Sequence, residues 1–336
     1  MSELEARLHI LAAGLADNGR GVCTLIHAQD PEPIAELVRA KFSNMKIVTC
    51  PDYPGLDGSM RTHKPDICLS YRFGDNYPRE ALFAGDPVYV HVAGTGSDHL
   101  VPWNTASTIV CNSSGFQADL MADYALAAIY TFNLKLKEFG KQQDARLWKP
   151  LSLRGAKGQR ATILGTGPIG QAIAGKLASV GLEVTGINSR GKSTPPFDSV
   201  LQVANLDTVL PGTDHLVISL PRTEQTLGLL SGPMLDLLPV GATVINLARG
   251  GILDEAALLD RLRSGHLRGA ALDVFETEPL TAEHPLWSAP NTIITPHSSA
   301  LFDGWETAAA NRFLDNLSRL AQGRALENRI DPDRGY

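Results

Sequence analysis

The chain has 336 residues, more than a single hydrophobic core usually supports, so we expect two domains. Its content of 43% hydrophobic and 20% charged residues is that of an ordinary globular protein. The formal net charge of -6 argues against nucleic acid or an anionic membrane surface as the main partner. Any anion that the chain binds must therefore be held by a local cluster of basic residues.

The N-terminal segment is predicted to form an amphipathic helix. Its leucines recur at helical spacing, and Ser2 with Glu5 matches a capping box. Glu3 and Glu5 stand where a signal peptide would be basic, and the apolar run is too broken to span a bilayer. The four cysteines form neither a CxxC pair nor a Cys/His metal spacing, so we expect no metal site, reduced thiols and a cytoplasmic location.

The first hundred residues alternate short apolar runs with amphipathic ones, a pattern that indicates a parallel sheet covered by helices on both faces. A helix is predicted at 32–42 and a long one from about Ala118 to Phe139. Strands are predicted at 22–28, 46–50, 66–70 and 88–94.

The second half of the chain predicts six strands with helices between most of them, the arrangement of a Rossmann domain. A last helix is predicted at 305–323, ended by Gly323, and we expect it to return to the first domain. The predicted strands lie at 161–165, 183–187, 215–220, 242–247, 270–275 and 292–296.

The predicted fold is therefore α/β, with two doubly wound parallel-sheet domains. A Rossmann dinucleotide-binding domain, residues 116–298, is inserted into a flavodoxin-like substrate domain built from residues 1–115 and 299–336. The cleft between the two domains is the expected site.

The motif 165-GTGPIG-170, which we call the glycine loop, follows an apolar strand and precedes a helical pattern. A GxGxxG match alone is weak and often marks only a tight turn, but this context favours dinucleotide binding. The first glycine permits the turn, the second lets backbone approach a pyrophosphate, and the third lets helix pack on strand. The residues assigned to the cofactor here are Gly165, Gly167, Pro168, Ile169 and Gly170.

The segment 186-GINSRGK-192 has no carboxylate where such a domain usually places one for the adenosine ribose. Ser189, Arg190 and Lys192 stand there instead, and basic side chains pair with phosphate. A solvated basic loop is the alternative. We favour a cofactor that carries a 2′-phosphate, NADP(H), over NAD(H).

Three further residues each follow a predicted strand, where ligands bind in open α/β sheets: Arg249, Glu278 and His297. Each has an ordinary structural explanation, as a helix cap or ion pair, a solvated acid, or a packed histidine. Their order behind a nucleotide loop favours a catalytic site.

The runs that carry these residues, 245–279 and 293–300, resemble the signatures of the D-isomer-specific 2-hydroxyacid dehydrogenase family. The glycine loop, 92-VAGTGSDHL-100 and 111-CNSSGFQADLMADYAL-126 fit the same family. Within that family, the basic segment 186–192 and the length of the chain most resemble those of the NADPH-dependent glyoxylate/hydroxypyruvate reductases. The resemblance is strong from about Val90 to Ala300 and weak before that.

The resemblance implies the role of each catalytic residue. His297 is the general acid in reduction, Glu278 orients its ring and favours its charged form, and Arg249 binds the substrate carboxylate and polarises the keto oxygen. The amides of Thr95 and Gly96 are implied as a second grip on that carboxylate.

The resemblance also extends the cofactor and substrate sites. Asp273 is implied to receive the nicotinamide carboxamide. Tyr71, Arg72 and Phe73 either line the substrate pocket or form a surface loop. The remaining residues that the resemblance assigns to the cofactor are Pro221, Thr226, Ala248 and Ser299.

These expectations describe a cytoplasmic homodimer that reduces small 2-keto acids, glyoxylate and hydroxypyruvate above all, to D-2-hydroxy acids. NADPH is the preferred cofactor and NAD the alternative. A nucleotide-responsive scaffold resembling the C-terminal-binding corepressors and a phosphite dehydrogenase stay open, because both share the three catalytic residues. Formate dehydrogenases of similar sequence place glutamine where Glu278 stands, so this glutamate argues against formate.

Overall fold

The computed structural model describes residues 2–71, 79–100 and 102–334 of the chain. The chain divides into two compact units. We call Met1–Phe116 with Asp303–Tyr336 the discontinuous unit, and Gln117–Phe302 the inserted unit. The predicted boundary at 298/299 falls earlier than the observed one, because Ser299 is hydrogen bonded to Asp273 and belongs to the inserted unit.

The N-terminal part of the chain forms a five-stranded parallel sheet with helices between the strands. The strands are β1 Cys23–His27, β2 Lys46–Cys50, β3 Ile67–Ser70, β4 Tyr89–Val92 and β5 Ile109–Asn112. The helices are α1 Glu3–Ala16, α2 Glu32–Lys41 and α3 Pro54–His63, with 3-10 helices at Glu80–Phe83 and Asp98–Leu100. The strand order β2-β1-β3-β4-β5 is that of flavodoxin-like folds, as predicted.

The inserted unit forms a seven-stranded parallel sheet in the order β12-β11-β10-β9-β6-β7-β8. Its strands are β6 Arg160–Leu164, β7 Glu183–Asn188, β8 Ser199–Gln202, β9 His215–Ile218, β10 Ala242–Asn246, β11 Leu267–Leu272 and β12 Thr292–Ile294. Its α-helices are α4 Ala118–Asn133, α5 Leu136–Asp144, α6 Pro168–Ser179, α7 Leu206–Val209, α8 Gly232–Asp236 and α9 Glu255–Arg263. Its 3-10 helices are Val203–Asn205, Leu210–Gly212 and Pro285–Ser288.

Together the two sheets confirm the predicted α/β class with two parallel-sheet domains. The predicted count of six strands in the second half was wrong, because β8 is an edge strand with no buried residue and therefore shows no apolar run. Strand β6 pairs with β7 along one of its edges and with β9 along the other, so the strand order reverses at β6. That crossover point is where open α/β sheets bind ligands.

The single long helix predicted from Ala118 to Phe139 is in fact two helices, α4 and α5. Lys135 between them adopts a left-handed conformation, with φ of 52°. The apolar pattern continues through both helices, so periodicity alone does not reveal the break.

The C-terminal helix α10, Trp305–Ala321, packs against α1 and α2 of the discontinuous unit, as expected from the sequence. It ends in a Schellman motif: the Gly323 amide donates to the Leu320 carbonyl and the Arg324 amide to the Arg319 carbonyl. Gly323 has a φ of 65°, which glycine tolerates without strain. The predicted capping box of α1 is also present, with Ser2 and Glu5 bonded to each other's backbone amides.

The remaining expectations concern cysteines, metals and membranes. All four cysteines are free thiols; Cys50, Cys68 and Cys111 are buried and Cys23 is half-buried. Across residues 2–71, 79–100 and 102–334, no helix is long and apolar enough to cross a bilayer. The same residues contain no group of three His, Cys, Asp or Glu side chains that could hold a metal ion.

Candidate active site

His297 and Glu278 form a hydrogen-bonded pair beyond the carboxyl ends of β12 and β11. The Nδ1 atom of His297 lies 2.8 Å from Oε2 of Glu278, and Oε1 of the same carboxylate accepts the Phe275 amide at 3.0 Å. A carboxylate accepts hydrogen bonds, so the ring donates through Nδ1–H, and Nε2 is the nitrogen available for proton transfer. The His297 side chain is 42% exposed, which leaves it accessible to a reactant.

The surroundings of Glu278 keep it ionised. Partial burial alone would raise its pKa, but hydrogen bonds from His297 and Phe275, with the positive charges of His297 and Arg249, lower the pKa below its usual value. An ionised Glu278 fixes both the orientation and the tautomer of the His297 ring. The pair can therefore hold and deliver a proton at Nε2.

Residues 295–299, which we call the histidine segment, are bound to Asp273 at the end of β11. Oδ1 of Asp273 accepts the Thr295 hydroxyl at 2.5 Å and the Ser298 amide at 2.7 Å. Its Oδ2 accepts the Ser299 amide at 3.0 Å and the Ser299 hydroxyl at 2.6 Å. The Asp273 carbonyl also accepts the His297 amide at 2.8 Å. One buried carboxylate therefore holds residues on both sides of the histidine.

His297 needs this support because its backbone is left-handed, with φ of 52°. For a residue with a Cβ this conformation costs about 1–3 kcal/mol, and it persists only where neighbouring contacts impose it. The bonds to Asp273 are those contacts. In this conformation the imidazole is hydrogen bonded to Glu278.

Arg249 lies in the loop after β10, next to the loop that carries Glu278. The Asn246 amide group donates to the Arg249 carbonyl at 3.2 Å, and Nη1 of Arg249 donates to the Ala248 carbonyl at 2.7 Å. A Cβ on Gly250 would overlap the Phe275 carbonyl oxygen, so the two loops pack backbone against backbone. Because Phe275 also donates to Glu278, this contact links the arginine and glutamate loops.

Glu255, at the start of α9, also holds the loop that carries Glu278. Its Oε1 accepts the Glu276 amide at 2.6 Å, and its Oε2 lies 3.7 Å from Nε2 of His284. Burial raises the pKa of Glu255; the hydrogen bond from the Glu276 amide and the nearby His284 lower it, the carboxylates of Glu276 and Glu278 raise it, and the net pKa lies above the ordinary value. Sequence reasoning did not select this residue, because a glutamate in the first turn of a helix is common.

The glycine loop fits a dinucleotide. A Cβ on Gly170 would overlap the Gly165 carbonyl oxygen, and Gly165 has a φ of 105°, so both positions require glycine. A Cβ on Gly167 would meet no atom within 4 Å, which leaves open space in front of the N-terminus of α6. Backbone amides and the helix dipole favour a phosphate there. Pro168 and Ile169 are the first two residues of that helix, which begins three residues before the helical pattern predicted from Gln171.

The basic loop, residues 188–192, is organised by Asn188 at the end of β7. Its side-chain oxygen accepts the amides of Arg190 at 3.0 Å and Lys192 at 3.3 Å, and its Nδ2 donates to Thr166 Oγ1 at 2.9 Å. The side chains of Ser189, Arg190 and Lys192 are exposed. The loop is therefore ordered next to the glycine loop and presents two cations to solvent.

The other predicted cofactor residues lie at strand ends of the same sheet. Thr226 closes a turn after β9 by donating to the Pro221 carbonyl at 2.7 Å. Ala248, which precedes Arg249, is buried. Ser299 is buried as well and is hydrogen bonded to Asp273. These positions surround the ends of β9, β10 and β12.

Thr95 and Gly96 lie in the discontinuous unit, in the loop after β4, where Asn112 donates to the Thr95 carbonyl at 2.6 Å. Tyr71 is buried in that unit, and its hydroxyl donates to the Glu306 carbonyl at 2.7 Å. Its ring also packs against Trp305, with centroids 5.6 Å apart, so its side chain is not part of a surface loop. Arg72 and Phe73 lie outside the described residues.

Comparison with known proteins identifies the family. The model of the family described as "D-isomer specific 2-hydroxyacid dehydrogenase, NAD binding domain" matches residues 126–299. The glyoxylate/hydroxypyruvate reductase A of Salmonella typhimurium is 32% identical over 287 residues, covering 79% of this chain and 90% of that protein. That of Salmonella paratyphi B is 35% identical over 216 residues, covering 64% of this chain and 69% of that protein.

Solved structures agree with this. A D-isomer-specific 2-hydroxyacid dehydrogenase family protein from Aeromonas salmonicida is 30% identical with a TM-score of 0.82, over 93% of this chain and 99% of that one. A D-isomer-specific 2-hydroxyacid dehydrogenase from Xanthobacter autotrophicus, in complex with NADPH and MES, is 29% identical with a TM-score of 0.80, covering 94% of this chain and 100% of that one. The NADPH-dependent glyoxylate/hydroxypyruvate reductase of Sinorhizobium meliloti, in complex with NADP and sulfate, is 25% identical with a TM-score of 0.78, over 94% and 100%. The chain therefore belongs to the D-isomer-specific 2-hydroxyacid dehydrogenase family, and is an oxidoreductase with an NAD(P) cofactor.

Proposed function

We propose that the chain reduces small 2-keto acids, with glyoxylate and hydroxypyruvate as the leading substrates, to D-2-hydroxy acids. The observation that carries this proposal is the 2.8 Å contact between His297 Nδ1 and Glu278 Oε2, on a sheet whose glycine loop fits a dinucleotide. A paired imidazole supplies the proton that carbonyl reduction requires. The curated relatives of Salmonella that carry the name glyoxylate/hydroxypyruvate reductase A support the choice of substrate.

The proton transfer follows from the described side chains. When bound, reduced nicotinamide would supply the hydride for the keto carbon, and the keto oxygen would then need a proton. His297 gives that proton from Nε2, while its Nδ1–H stays bonded to Glu278. The ionised Glu278 stabilises the imidazolium before transfer and keeps the ring in the same orientation afterwards. In the reverse direction His297 accepts the hydroxyl proton as general base.

Arg249 binds the substrate carboxylate. Its guanidinium can present two parallel donors, which match a carboxylate and can also polarise the adjacent keto oxygen. The amides of Thr95 and Gly96 are proposed as a second grip on the same carboxylate, on the family resemblance alone. With the carboxylate held, the keto group has a fixed direction.

NADPH is the proposed cofactor in preference to NADH. The exposed Ser189, Arg190 and Lys192 on a loop without carboxylates favour a 2′-phosphate. Two structural neighbours were solved with NADPH or NADP bound, which supports the same choice. Pro221, Thr226, Ala248 and Ser299 are proposed to line the rest of the cofactor site.

We propose that the protein is a cytoplasmic homodimer formed through the inserted unit. Four free thiols support a reducing compartment. Trp148 is 97% exposed, and Leu136, Leu147 and Leu153 near it in sequence are exposed by half or more. Trp148→Ala should shift the protein toward monomer in light scattering, whereas Trp287→Ala, also exposed, should not.

The experiment that tests the function is a panel of 2-keto acids assayed with NADPH and with NADH by loss of nicotinamide absorbance. We expect turnover of glyoxylate and hydroxypyruvate, faster with NADPH. No turnover of any keto acid would overturn the reductase proposal. Oxidation of phosphite would then identify a phosphite dehydrogenase, and cofactor binding without any turnover would favour a scaffold.

A further inference from the structure

Tyr124 connects a distant helix to the histidine segment. It lies on α4, and its hydroxyl is 2.8 Å from Oγ1 of Thr295, 171 residues further along the chain. The Thr295 hydroxyl is in turn 2.5 Å from Oδ1 of Asp273. All three residues belong to the inserted unit. The tyrosine therefore reaches the carboxylate that holds the histidine segment through a single intervening hydroxyl.

The direction of this hydrogen-bond chain follows from the chemistry of its end. A carboxylate accepts and has no proton to give, so Thr295 must donate its one proton to Asp273. The Thr295 oxygen then has only lone pairs to offer, and Tyr124 must donate to it. Burial raises the pKa of Tyr124; the Thr295 hydrogen bond lowers it and the Asp273 charge raises it, and the net result is above the ordinary value. The phenol therefore remains a donor across the working pH range.

The acceptor sites of Asp273 are already occupied in this arrangement, which leaves none for the nicotinamide carboxamide that the family resemblance assigns to this residue. A carboxylate offers about four lone-pair sites, and Asp273 receives Thr295 and Ser298 on one oxygen and Ser299 twice on the other. Loss of the Thr295 hydroxyl would leave Oδ1 with the Ser298 amide alone and allow the carboxylate to turn. The left-handed His297 lies between the two points that this oxygen holds, so its ring would lose its fixed direction.

We propose that Tyr124 and Thr295 are positioning residues for His297, and that they act through Asp273. The inference rests on the proposed reductase function, in which His297 delivers the proton. Both hydroxyls are engaged in the hydrogen-bond chain to Asp273, so their effect is on the direction of the imidazole. They should therefore change the rate of proton delivery and leave substrate and cofactor affinity nearly unchanged.

The variants separate the hydroxyl groups from the packing of their side chains. Thr295→Val keeps the shape and removes the hydroxyl, whereas Thr295→Ser keeps the hydroxyl. Tyr124→Phe keeps the ring. Tyr130→Phe is the matched control, because Tyr130 is a half-buried tyrosine of the same helix whose hydroxyl bonds to no other described residue. Thermal unfolding of each variant verifies that it folds.

The first readout is kinetic, with glyoxylate and NADPH. We expect Thr295→Val to lower kcat about tenfold or more and Tyr124→Phe about three- to fivefold, with KM and NADPH affinity within about twofold. Thr295→Ser and Tyr130→Phe should stay within about twofold of the parent. Parental kcat in both Thr295→Val and Tyr124→Phe would overturn the proposal, and so would weakened NADPH binding with unchanged kcat.

The second readout needs no activity. The Nδ1–H proton of His297 bonded to Glu278 should give a downfield NMR resonance at low temperature, assigned by its loss in His297→Gln. Thr295→Val should broaden or remove this resonance, and Thr295→Ser should retain it. An unchanged resonance in a slow Thr295→Val enzyme would overturn the proposal. If no keto acid is turned over, the proposed reductase function fails, but the NMR comparison of Thr295→Val with Thr295→Ser still shows whether Thr295 positions His297. If Thr295→Val does not fold, the same resonance in Tyr124→Phe tests the proposal.

Discussion

Replacing Glu278 by glutamine tests the histidine–carboxylate pair with the smallest change in shape. The two oxygens of Glu278 have separate partners: Oε2 accepts from His297 at 2.8 Å and Oε1 accepts from Phe275 at 3.0 Å. Glutamine has one oxygen and one amide nitrogen, so it cannot accept from both. The substitution therefore removes one hydrogen bond and the negative charge that stabilises an imidazolium.

The size of the effect follows from that lost contact. A hydrogen bond to a charged group contributes about 1.5–3 kcal/mol, and each 1.4 kcal/mol is a factor of ten in rate. We therefore expect Glu278→Gln to lower kcat between about 10-fold and 100-fold at neutral pH. NADPH affinity should be unchanged, because the glycine loop and basic loop are untouched.

The assay is glyoxylate reduction at saturating NADPH, with kcat and KM measured from pH 5 to 9. Glu276→Gln is the matched control, because it makes the same chemical change on an exposed side chain two residues away. It should behave as the parent enzyme does. A Glu278→Gln enzyme within twofold of the parental kcat at neutral pH would refute the role given to this carboxylate.

Three other predictions concern the cofactor, the loop contact and acid stability. Arg190→Asp should reverse the preference from NADPH toward NADH, because a carboxylate repels a 2′-phosphate and accepts from a 2′-hydroxyl; equal NADPH use before and after would contradict the assignment. Gly250→Ala should lower activity at least about tenfold or reduce the soluble yield, because the added Cβ would overlap the Phe275 carbonyl. The control Gly265→Ala should lose stability but keep its activity, because its added Cβ would have no atom within 4 Å. The pKa of His91 is lowered by burial, and further by Arg312, from 6.5 to about 3. Below about pH 6.5, His91 is therefore protonated in the unfolded chain and neutral in the folded chain. Its contribution lowers the free energy of unfolding by about 1.4 kcal/mol for each pH unit of further acidification. His91→Gln should flatten the fall in melting temperature between about pH 6 and 4; an unchanged slope would contradict this reading.

The sequence predicted the parts of the fold that short apolar runs encode. Strands such as β6 and β10 are buried along most of their length, so their pattern is continuous and visible. The edge strand β8 is not, and it was missed. The break between α4 and α5 depends on the left-handed Lys135, and no pattern of apolar residues indicates such a conformation.

The candidate site was predicted to the level of its motif residues and no further. Arg249, Glu278 and His297 follow strands in an order that the family resemblance makes specific. The contacts that hold them are long-range: Tyr124 bonds to Thr295, and Glu255 bonds to the amide of Glu276. Spacing along the chain carries no information about such contacts. For the same reason the sequence did not indicate that Gly250 is the point where two loops touch.

The central claim is that His297 delivers the proton in keto-acid reduction. The most direct measurement is a single turnover of glyoxylate by His297→Gln enzyme already saturated with NADPH, compared with the parent protein. We expect NADPH affinity within about twofold of the parent and a rate of NADPH oxidation at least about 100-fold lower. A rate within twofold of the parent, with the cofactor equally bound, would contradict the claim.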